Sequence, residues 1–191
     1  MQFEAFDGWR ASLVLPYDFE TTDDFYRAGN SGNLSNAEDK QTLIALRKAA
    51  DVIITTGRTA REEKYRGSKH APIGVLTSKP ETLVDLELFN TETKNFSFDC
   101  AGAKLSDCLA AKLEKGGYVN PLFEGGLATL RELASGLSKI QLVLSITGST
   151  KPYELDPGQF VRAVLPEMTV TELKTMVGGG NLVIQATLIA P

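Results

Sequence analysis

The sequence contains little of the chemistry that metal sites and disulfide scaffolds require. Among its 191 residues there are one histidine and two cysteines. Cys100 and Cys108 are too few for a disulfide framework and lack the tight spacing of a zinc or redox motif, so we expect both to be reduced packing residues. His70 is expected to be an exposed loop residue. The sequence shows no metal-ligand cluster.

Long apolar runs and clustered positive charge are also lacking. No apolar run approaches the ~20 residues of a membrane-spanning helix, and the opening MQFEAFDGWR lacks the charged and apolar regions of a secretory leader. The formal charge is -4, and the basic residues are scattered among acids, which disfavours a nucleic-acid surface. We therefore expect a cytoplasmic, soluble protein that binds neither nucleic acid nor membranes.

The apolar content is sufficient for one well-filled core. With 42% hydrophobic residues and no internal repeat or linker, we expect a single domain over residues 1–191, because a second full domain would be cramped. Apolar and β-branched patterns predict strands at residues 9–16, 51–57, 72–77 and 140–146, and a terminal antiparallel hairpin around three glycines. With helices between the strands, this order predicts a mixed sheet with helices packed on it.

Three helices are predicted from their starts and apolar stripes. The stretch SNAE at residues 35–38 predicts a capping box, in which Ser35 accepts a first-turn amide and Glu38 reaches back to the cap residue. The apolar spacing of the helix that follows places Arg47 beside its buried stripe. A second helix is predicted at residues 105–117 and a third from Leu127 onwards.

The third helix begins at an unusual junction. In NPLFEGGLATLRELASGL, residues 120–137, Glu124, Gly125 and Gly126 separate a short apolar segment from the helix. At a strand-to-helix turn, glycines let backbone amides approach a ligand, and the helix start favours an anion such as a pyrophosphate. A tight turn that needs glycine for its backbone angles explains the same residues without a ligand. Both readings stay open, because the stronger fingerprints GxGxxG and GxxxxGK[ST] do not occur.

The order of these motifs resembles the riboflavin-biosynthesis pyrimidine reductase family. ALRKAADVIITTGRTAREEKY, followed about sixty residues later by FEGGLATLRELASGL, is similar to its reductase domains over residues ~31–148. The resemblance implies a dihydrofolate-reductase-like α/β fold of three layers, with a mixed, mostly parallel sheet flanked by helices and a C-terminal antiparallel hairpin. It also implies NADPH as hydride donor and a ribosylaminopyrimidine phosphate as substrate. By analogy alone, we expect a homodimer.

The resemblance also implies roles for individual residues. Cofactor contacts fall on Gly57, Thr59, Glu63, Gly125, Gly126 and Leu127. Substrate contacts fall on Ser31, Arg47 and Glu124. Arg47 offers a fork of donors suited to a phosphate or to a pyrimidine carbonyl. If the substrate must be protonated, Glu124 or a bound water is the candidate donor.

Each of these residues has a structural alternative. Arg47 is alternatively a solvated charge on its helix, Glu124 a solvated acid at a helix start, and Thr59 the cap of the short helix AREEKY. Ser31 lies in a polar loop where an indifferent role is equally plausible. Arg58 and Arg61 flank Thr59 and are candidates for a cofactor 2′-phosphate on charge and proximity alone.

The chain departs from the family in several places. ASLVLPYDFE has no Asp-Gly after the first strand, Pro121 interrupts the strand before Glu124, and SKIQ replaces the acidic residues that follow the third helix. Three hypotheses follow. In the first, the chain is an NADPH-dependent oxidoreductase that resembles the pyrimidine reductases, or a diverged paralogue of them that acts on a different heterocycle. In the second, it is a non-catalytic nucleotide-binding or sensor protein on the same fold. In the third, it is a structural protein with no ligand.

Overall fold

A mixed sheet forms the centre of the molecule. The computed structural model describes residues 3, 4, 6–19, 34–89 and 93–191. Their strands are β1 (Trp9–Pro16), β2 (Val52–Thr56), β3 (Ile73–Leu76), β4 (Phe96–Phe98), β5 (Pro121–Phe123), β6 (Lys139–Thr147), β7 (Thr169–Gly178) and β8 (Asn181–Ile189). They lie in the order β4-β3-β2-β5-β1-β6-β8-β7. The strands from β4 to β6 are parallel, and β8 runs antiparallel to both β6 and β7. The predicted mostly parallel sheet with a terminal hairpin is confirmed.

Helices cover both faces of this sheet. The described helices are α1 (Ala37–Ala49), α2 (Gly57–Glu62), α3 (Leu105–Gly116), α4 (Leu127–Ala134) and α5 (Pro157–Val164), with 3₁₀ turns at Pro80–Leu83, Glu87–Phe89 and Pro152–Glu154. The sequence patterns predicted α1, α3 and α4 and missed α5, although Asp156 caps its start and a proline occupies its first position. No helix in the described part of the chain is long and apolar enough to cross a membrane.

Two apolar clusters fill the spaces between the layers. One packs α3, α4 and α5 on the sheet, and the other packs α1, α2 and two 3₁₀ turns on the opposite face. Successive strand residues point to opposite faces, so Val52 and Ile54 belong to the first cluster and Ile53 to the second. Buried on both faces, β2 is the central strand that its apolar sequence predicted.

The start of α1 differs from the predicted capping box. The cap is Asn36, whose side chain accepts a hydrogen bond from the Asp39 amide at 3.1 Å. Ser35, the predicted cap, instead donates its hydroxyl to the Asp39 carboxylate at 2.6 Å. The side-chain amides of Asn36 and Asn181 exchange hydrogen bonds of 2.7 and 2.9 Å across the fold. This tertiary contact with β8 accounts for a helix start one residue later than the local pattern indicated.

Pro121 does not interrupt its strand as predicted. It is the first residue of β5 and pairs in register with Val52 of β2. A proline is tolerated at the start of a strand, where its missing N–H removes no interior ladder bond. The strand therefore runs directly into Glu124.

The turn after α2 has an unusual backbone. Lys64 has φ 48°, the left-handed region that helix C-termini usually fill with glycine. The Lys64 amide donates to the Arg61 carbonyl at 3.2 Å, and the Tyr65 amide donates to the Ala60 carbonyl at 2.9 Å. These two bonds form a Schellman-type closure. Its geometry turns the chain back so that Tyr65 points towards the end of β5.

Replacing the strained residue of this turn tests its geometry. A lysine in the left-handed region costs about 1 kcal/mol or more, which glycine relieves. We expect Lys64→Gly to raise the free energy of unfolding by about 1 kcal/mol, measured by urea denaturation. Gly117→Ala is the matched control, because Gly117 ends α3 with φ 70°. This variant should lower the free energy of unfolding by a similar amount. Destabilisation of Lys64→Gly would contradict the described backbone.

Candidate functional site

The turn after β5 is fixed by the neighbouring strand. The Glu124 amide donates to the Ile54 carbonyl at 2.8 Å, and the Thr55 hydroxyl donates to the Glu124 carbonyl at 2.8 Å. Glu124 follows Leu122 by two positions, so its side chain points to the sheet face that carries α1. The turn therefore has a defined position at the carboxyl end of the parallel strands, where α/β sheets commonly bind ligands.

Glu124 and Arg47 form a buried ion pair. Arg47 Nε donates to Glu124 Oε1 at 2.8 Å and its Nη2 to Oε2 at 2.5 Å. The side chain of Glu124 is 5% exposed and that of Arg47 is 20% exposed. The solvated-charge reading is therefore wrong for both. The structure brings these two predicted substrate residues together across 77 positions of sequence.

Tyr65 completes this cluster and was missed by the sequence analysis. Its hydroxyl donates to Glu124 Oε2 at 3.0 Å, and its ring centre lies 5.6 Å from the Arg47 guanidinium carbon. Burial, together with the charges of Glu124 and Glu63, raises the pKa of the Tyr65 hydroxyl well above its usual value. Burial alone would lower the pKa of Arg47, but hydrogen bonds and charge from Glu124 outweigh it, and the pKa is raised. The cluster therefore holds a charged arginine, a paired carboxylate and a neutral tyrosine.

The two glycines of the turn have different roles. A Cβ on Gly125 would come within 2.3 Å of the Phe123 ring, so packing alone requires that glycine. A Cβ on Gly126 would meet no described atom within 4 Å. Gly126 is also the cap residue of α4, and the described residues provide no side-chain cap there. Open space and uncapped first-turn amides thus coincide at Gly126.

A cleft of about 340 Å³ opens at the surface, and its volume is at the lower end of the usual range for ligand pockets. It lies at the carboxyl ends of β2, β3 and β4 and reaches α4. The lining residues are Thr56, Gly57, Arg58, Leu76, Thr77, Ser78, Asp99, Cys100, Ala103, Leu105, Thr129 and Glu132. The lining thus includes four residues with hydroxyl groups, one arginine and two acidic residues.

Of the predicted cofactor residues, Gly57 lines this cleft. The Thr59 hydroxyl pairs with that of Thr56 at 2.9 Å, and the Thr56 side chain, not that of Thr59, caps α2. Glu63 is half-buried at the carboxyl end of α2. The side chain of Leu127 is buried in the core, which leaves its backbone amide for a ligand. Ser31 lies outside the described residues.

Another buried polar group on the α1 side of the sheet was not singled out from the sequence. Ser145 of β6 is 3% exposed, and its hydroxyl has no hydrogen-bond partner among the described residues. It follows Val143 by two positions and so points to the same sheet face as Glu124. A buried, unpaired hydroxyl is costly, so such groups usually meet a water or a ligand.

The two cysteines are not reduced packing residues, and that prediction is wrong. Cys100 and Cys108 form a disulfide with a Cα–Cα distance of 5.7 Å. The turn after β4 folds back, with the Ala103 amide donating to the Cys100 carbonyl at 3.2 Å, and thereby meets the first turn of α3. Two cysteines eight residues apart do not form a recognised sequence motif. The turn brings them within disulfide distance. Because Cys100 lines the cleft, the disulfide holds part of its wall.

Comparisons with known proteins support the fold. Neither a scan of protein-family models nor a search of curated proteins gives a match. A pyrimidine reductase-like protein from Corynebacterium diphtheriae is 16% identical, with a TM-score of 0.65 over 97% of this chain and 93% of its own. A Thermotoga maritima diaminohydroxyphosphoribosylaminopyrimidine deaminase/5-amino-6-(5-phosphoribosylamino)uracil reductase is 11% identical, with a TM-score of 0.64 over 96% of this chain and 56% of that one.

A third similar structure is dihydrofolate reductase from Enterococcus faecalis, complexed with NADP(H). It is 14% identical, with a TM-score of 0.57 over 97% of this chain and 98% of its own. The resemblance to pyrimidine reductases seen in the sequence motifs is thus confirmed in the structure, at identities that establish the fold alone. The chain has the dihydrofolate-reductase-like fold.

The disulfide leads to a stability prediction. Replacing both cysteines by serine removes a cross-link that, on the chain-entropy account, stabilises a loop of this length by about 2.5 kcal/mol. We expect Cys100→Ser/Cys108→Ser to lose about that much in free energy of unfolding, measured in urea without reductant. The unreduced wild-type chain should show no free thiol when denatured in the presence of a thiol reagent. Two free thiols, with no loss of stability in the double variant, would contradict the disulfide.

Proposed function

We propose that the chain is an NADPH-dependent reductase, resembling 5-amino-6-(5-phosphoribosylamino)uracil reductase and acting on a ribosylaminopyrimidine phosphate or a related heterocycle. The observation that carries the proposal is the turn after β5. On one side, Glu124 holds Arg47 in a buried pair. On the other, Gly126 leaves open space at an uncapped helix start. Two candidate subsites are thus joined by one short turn.

The residues beside the turn fit a phosphate-bearing dinucleotide. First-turn amides of α4 and the helix dipole favour an anion at Gly126, where no described side chain competes. Arg58, Thr77 and Ser78 bring a guanidinium and two hydroxyls to one cleft, a set suited to a phosphate monoester such as the 2′-phosphate of NADPH. When bound, the cofactor supplies the hydride. The protein binds and orients the reactants and excludes water.

Substrate contacts in this proposal come from the α1 side of the sheet. Arg47 and Glu124 lie there, and the unpaired hydroxyl of Ser145 points to the same face. The Glu124 carboxylate already accepts three hydrogen bonds, two from Arg47 and one from Tyr65. Protonating it would weaken all three, so this arrangement favours a bound water as the proton donor and an orienting role for Glu124. A homodimer remains part of the proposal by analogy with the fold.

One observation favours a second candidate, a nucleotide-binding protein without turnover. β1 ends at Pro16 and is followed by Tyr17, Asp18 and a buried Phe19. The segment thus carries no Asp-Gly where the pyrimidine reductases have one close to the nicotinamide. The reductase proposal and this alternative share cofactor binding and differ in hydride transfer.

Two measurements on the purified chain separate these functions. NADPH fluorescence is titrated with protein, and loss of absorbance at 340 nm is followed with the ribosylaminopyrimidine as substrate. Binding with turnover supports the reductase. Binding without turnover on any pyrimidine tested supports the second candidate. Absence of both, with no shift of melting temperature by millimolar NADPH, leaves the protein with a structural role and rejects the proposal.

Gly126→Val tests the cofactor position. A Cβ is accommodated there by the protein itself, and φ is -69°, so the variant should fold normally. If a pyrophosphate lies on this backbone, the new side chain should raise the NADPH Kd about tenfold or more, a loss of ~1.4 kcal/mol. Gly178→Val, at a similarly open glycine in β7, is the control and should leave the Kd unchanged. Unchanged affinity in a folded Gly126→Val protein would refute the site.

Arg58→Gln tests the 2′-phosphate contact. Arg58 lines the cleft and its Nε donates to Glu62 Oε1 at 2.7 Å, whereas Arg61 donates to Thr82 at 2.8 Å and is not among the lining residues. Losing a charge-assisted bond to phosphate should raise the KM for NADPH roughly tenfold and leave the KM for NADH unchanged. Arg61→Gln is the control and should alter neither constant. An equal effect of Arg58→Gln on both cofactors would show that Arg58 does not read the 2′-phosphate.

A further inference from the structure

The wall of the cleft is not held uniformly. Most of its lining residues belong to elements that are anchored in the fold, namely the ends of β2 and β3 and the helices α2 and α4. The others include three residues of the surface segment that connects β4 to α3, residues 99–104, which we call the β4–α3 segment. These three are Asp99, Cys100 and Ala103. The shape of the cleft therefore depends on how this short segment is held.

The disulfide is the main tie between the β4–α3 segment and the rest of the fold. Hydrogen bonds within the segment are local: the Ala101 amide donates to the Asp99 carboxylate at 3.0 Å, and the Ala103 amide to the Cys100 carbonyl at 3.2 Å. Cys100 is half-buried and packs against an apolar cluster, whereas the other residues of the segment are exposed. An exposed backbone with few buried contacts opens easily in a folded protein. The bond from Cys100 to Cys108 in α3 counters that opening.

We propose that this disulfide is a redox-sensitive switch that sets the affinity of the cleft for its ligand. In the oxidised chain, the β4–α3 segment is held in place before a ligand arrives. In the reduced chain, the segment moves more freely, so that binding must order it, and the entropy lost in that ordering lowers the affinity. The inference rests on the proposed function for the identity of the ligand, NADPH, and adds a form of regulation to it.

The switching chemistry is thiol–disulfide exchange with a dithiol. Both cysteines are half-buried and not enclosed, and Cys100 lines the cleft, so a small reductant reaches the bond. A thiolate of the dithiol attacks one sulfur, the S–S bond breaks, and the second thiol of the reductant resolves the mixed disulfide. Two electrons and two protons pass to the protein, which ends with two thiols, and the reductant ends as a cyclic disulfide. The chain has only these two cysteines, so no rearranged pairing competes.

A disulfide with a purely structural role would respond differently to reduction. Its loss would lower the free energy of unfolding of the whole chain and leave the folded cleft unchanged. A switch acts within the folded chain, on the β4–α3 segment and on the ligand that it faces. The two roles therefore differ in where the effect of reduction is observed.

Tryptic cleavage after Lys104 reports the state of the segment without any ligand. Lys104 is exposed and ends the β4–α3 segment, and cleavage requires the backbone around it to open. We expect reduction by dithiothreitol to speed this cleavage about tenfold, because the rate follows the population of the open form. Lys69, which is exposed in the loop before β3, is the internal control and should be cut at the same rate in both forms. Equal rates after Lys104, or equal acceleration at both lysines, overturn the inference.

The NADPH affinity of the two forms tests the consequence for the cleft. NADPH fluorescence is titrated with the oxidised chain, with the chain reduced by dithiothreitol, and with the reduced chain after reoxidation by oxidised glutathione. We expect reduction to raise the Kd about tenfold and reoxidation to restore it. Cys100→Ser/Cys108→Ser should have the Kd of the reduced chain and should not respond to dithiothreitol. A Kd that is the same in the oxidised and reduced chains overturns the inference and leaves the proposed function standing.

The remaining outcomes separate the inference from the proposed function. If neither form binds NADPH, the proposed function fails, and cleavage after Lys104 decides the inference: selective acceleration supports it and equal rates overturn it. If Cys100→Ser/Cys108→Ser does not fold, the reversible change in the wild-type chain decides, because both forms are one protein. If the double variant folds and responds to dithiothreitol as the wild type does, the reductant acts elsewhere and the inference is overturned.

Discussion

The ion pair between Arg47 and Glu124 is the constraint on which the arrangement of the site depends. A buried carboxylate is tolerated only when charge and hydrogen bonds compensate for lost water, and here Arg47 and Tyr65 supply both. The pair ties α1 to the end of β5. It thus adds a side-chain tie to the hydrogen bonds from β2 that hold the turn before α4. Removing one partner would leave an uncompensated charge in the interior.

The sheet separates the two halves of the candidate site. Residues that face α1 carry the ion pair and the unpaired Ser145 hydroxyl, whereas the cleft beyond the ends of β2, β3 and β4 carries hydroxyls and Arg58. The turn from Glu124 to Gly126 leads from the ion pair to α4, whose Thr129 and Glu132 line the cleft.

Local pattern predicted much of the fold and part of the site. The apolar run of β2, the stripe of α4 and the position of Arg47 all follow from short-range periodicity, and the structure bears them out. Features that depend on distant pairing were not visible. Tyr65 bonds Glu124, 59 positions along the chain. Asn36, the cap of α1, is held by a hydrogen bond to Asn181, 145 positions away. No local rule contains such contacts, because they exist only once the sheet order is set.

Because of the disulfide between Cys100 and Cys108, the covalent structure of the chain depends on whether the solution contains a reductant. This cross-link joins the turn after β4 to α3 and holds Cys100 in the cleft wall, so adding a dithiol converts one molecular species into another. Affinities measured in a reducing buffer and in a non-reducing one refer to chains with different covalent connectivity around the same opening. Storage and assay conditions therefore select which form of the cleft wall is being observed.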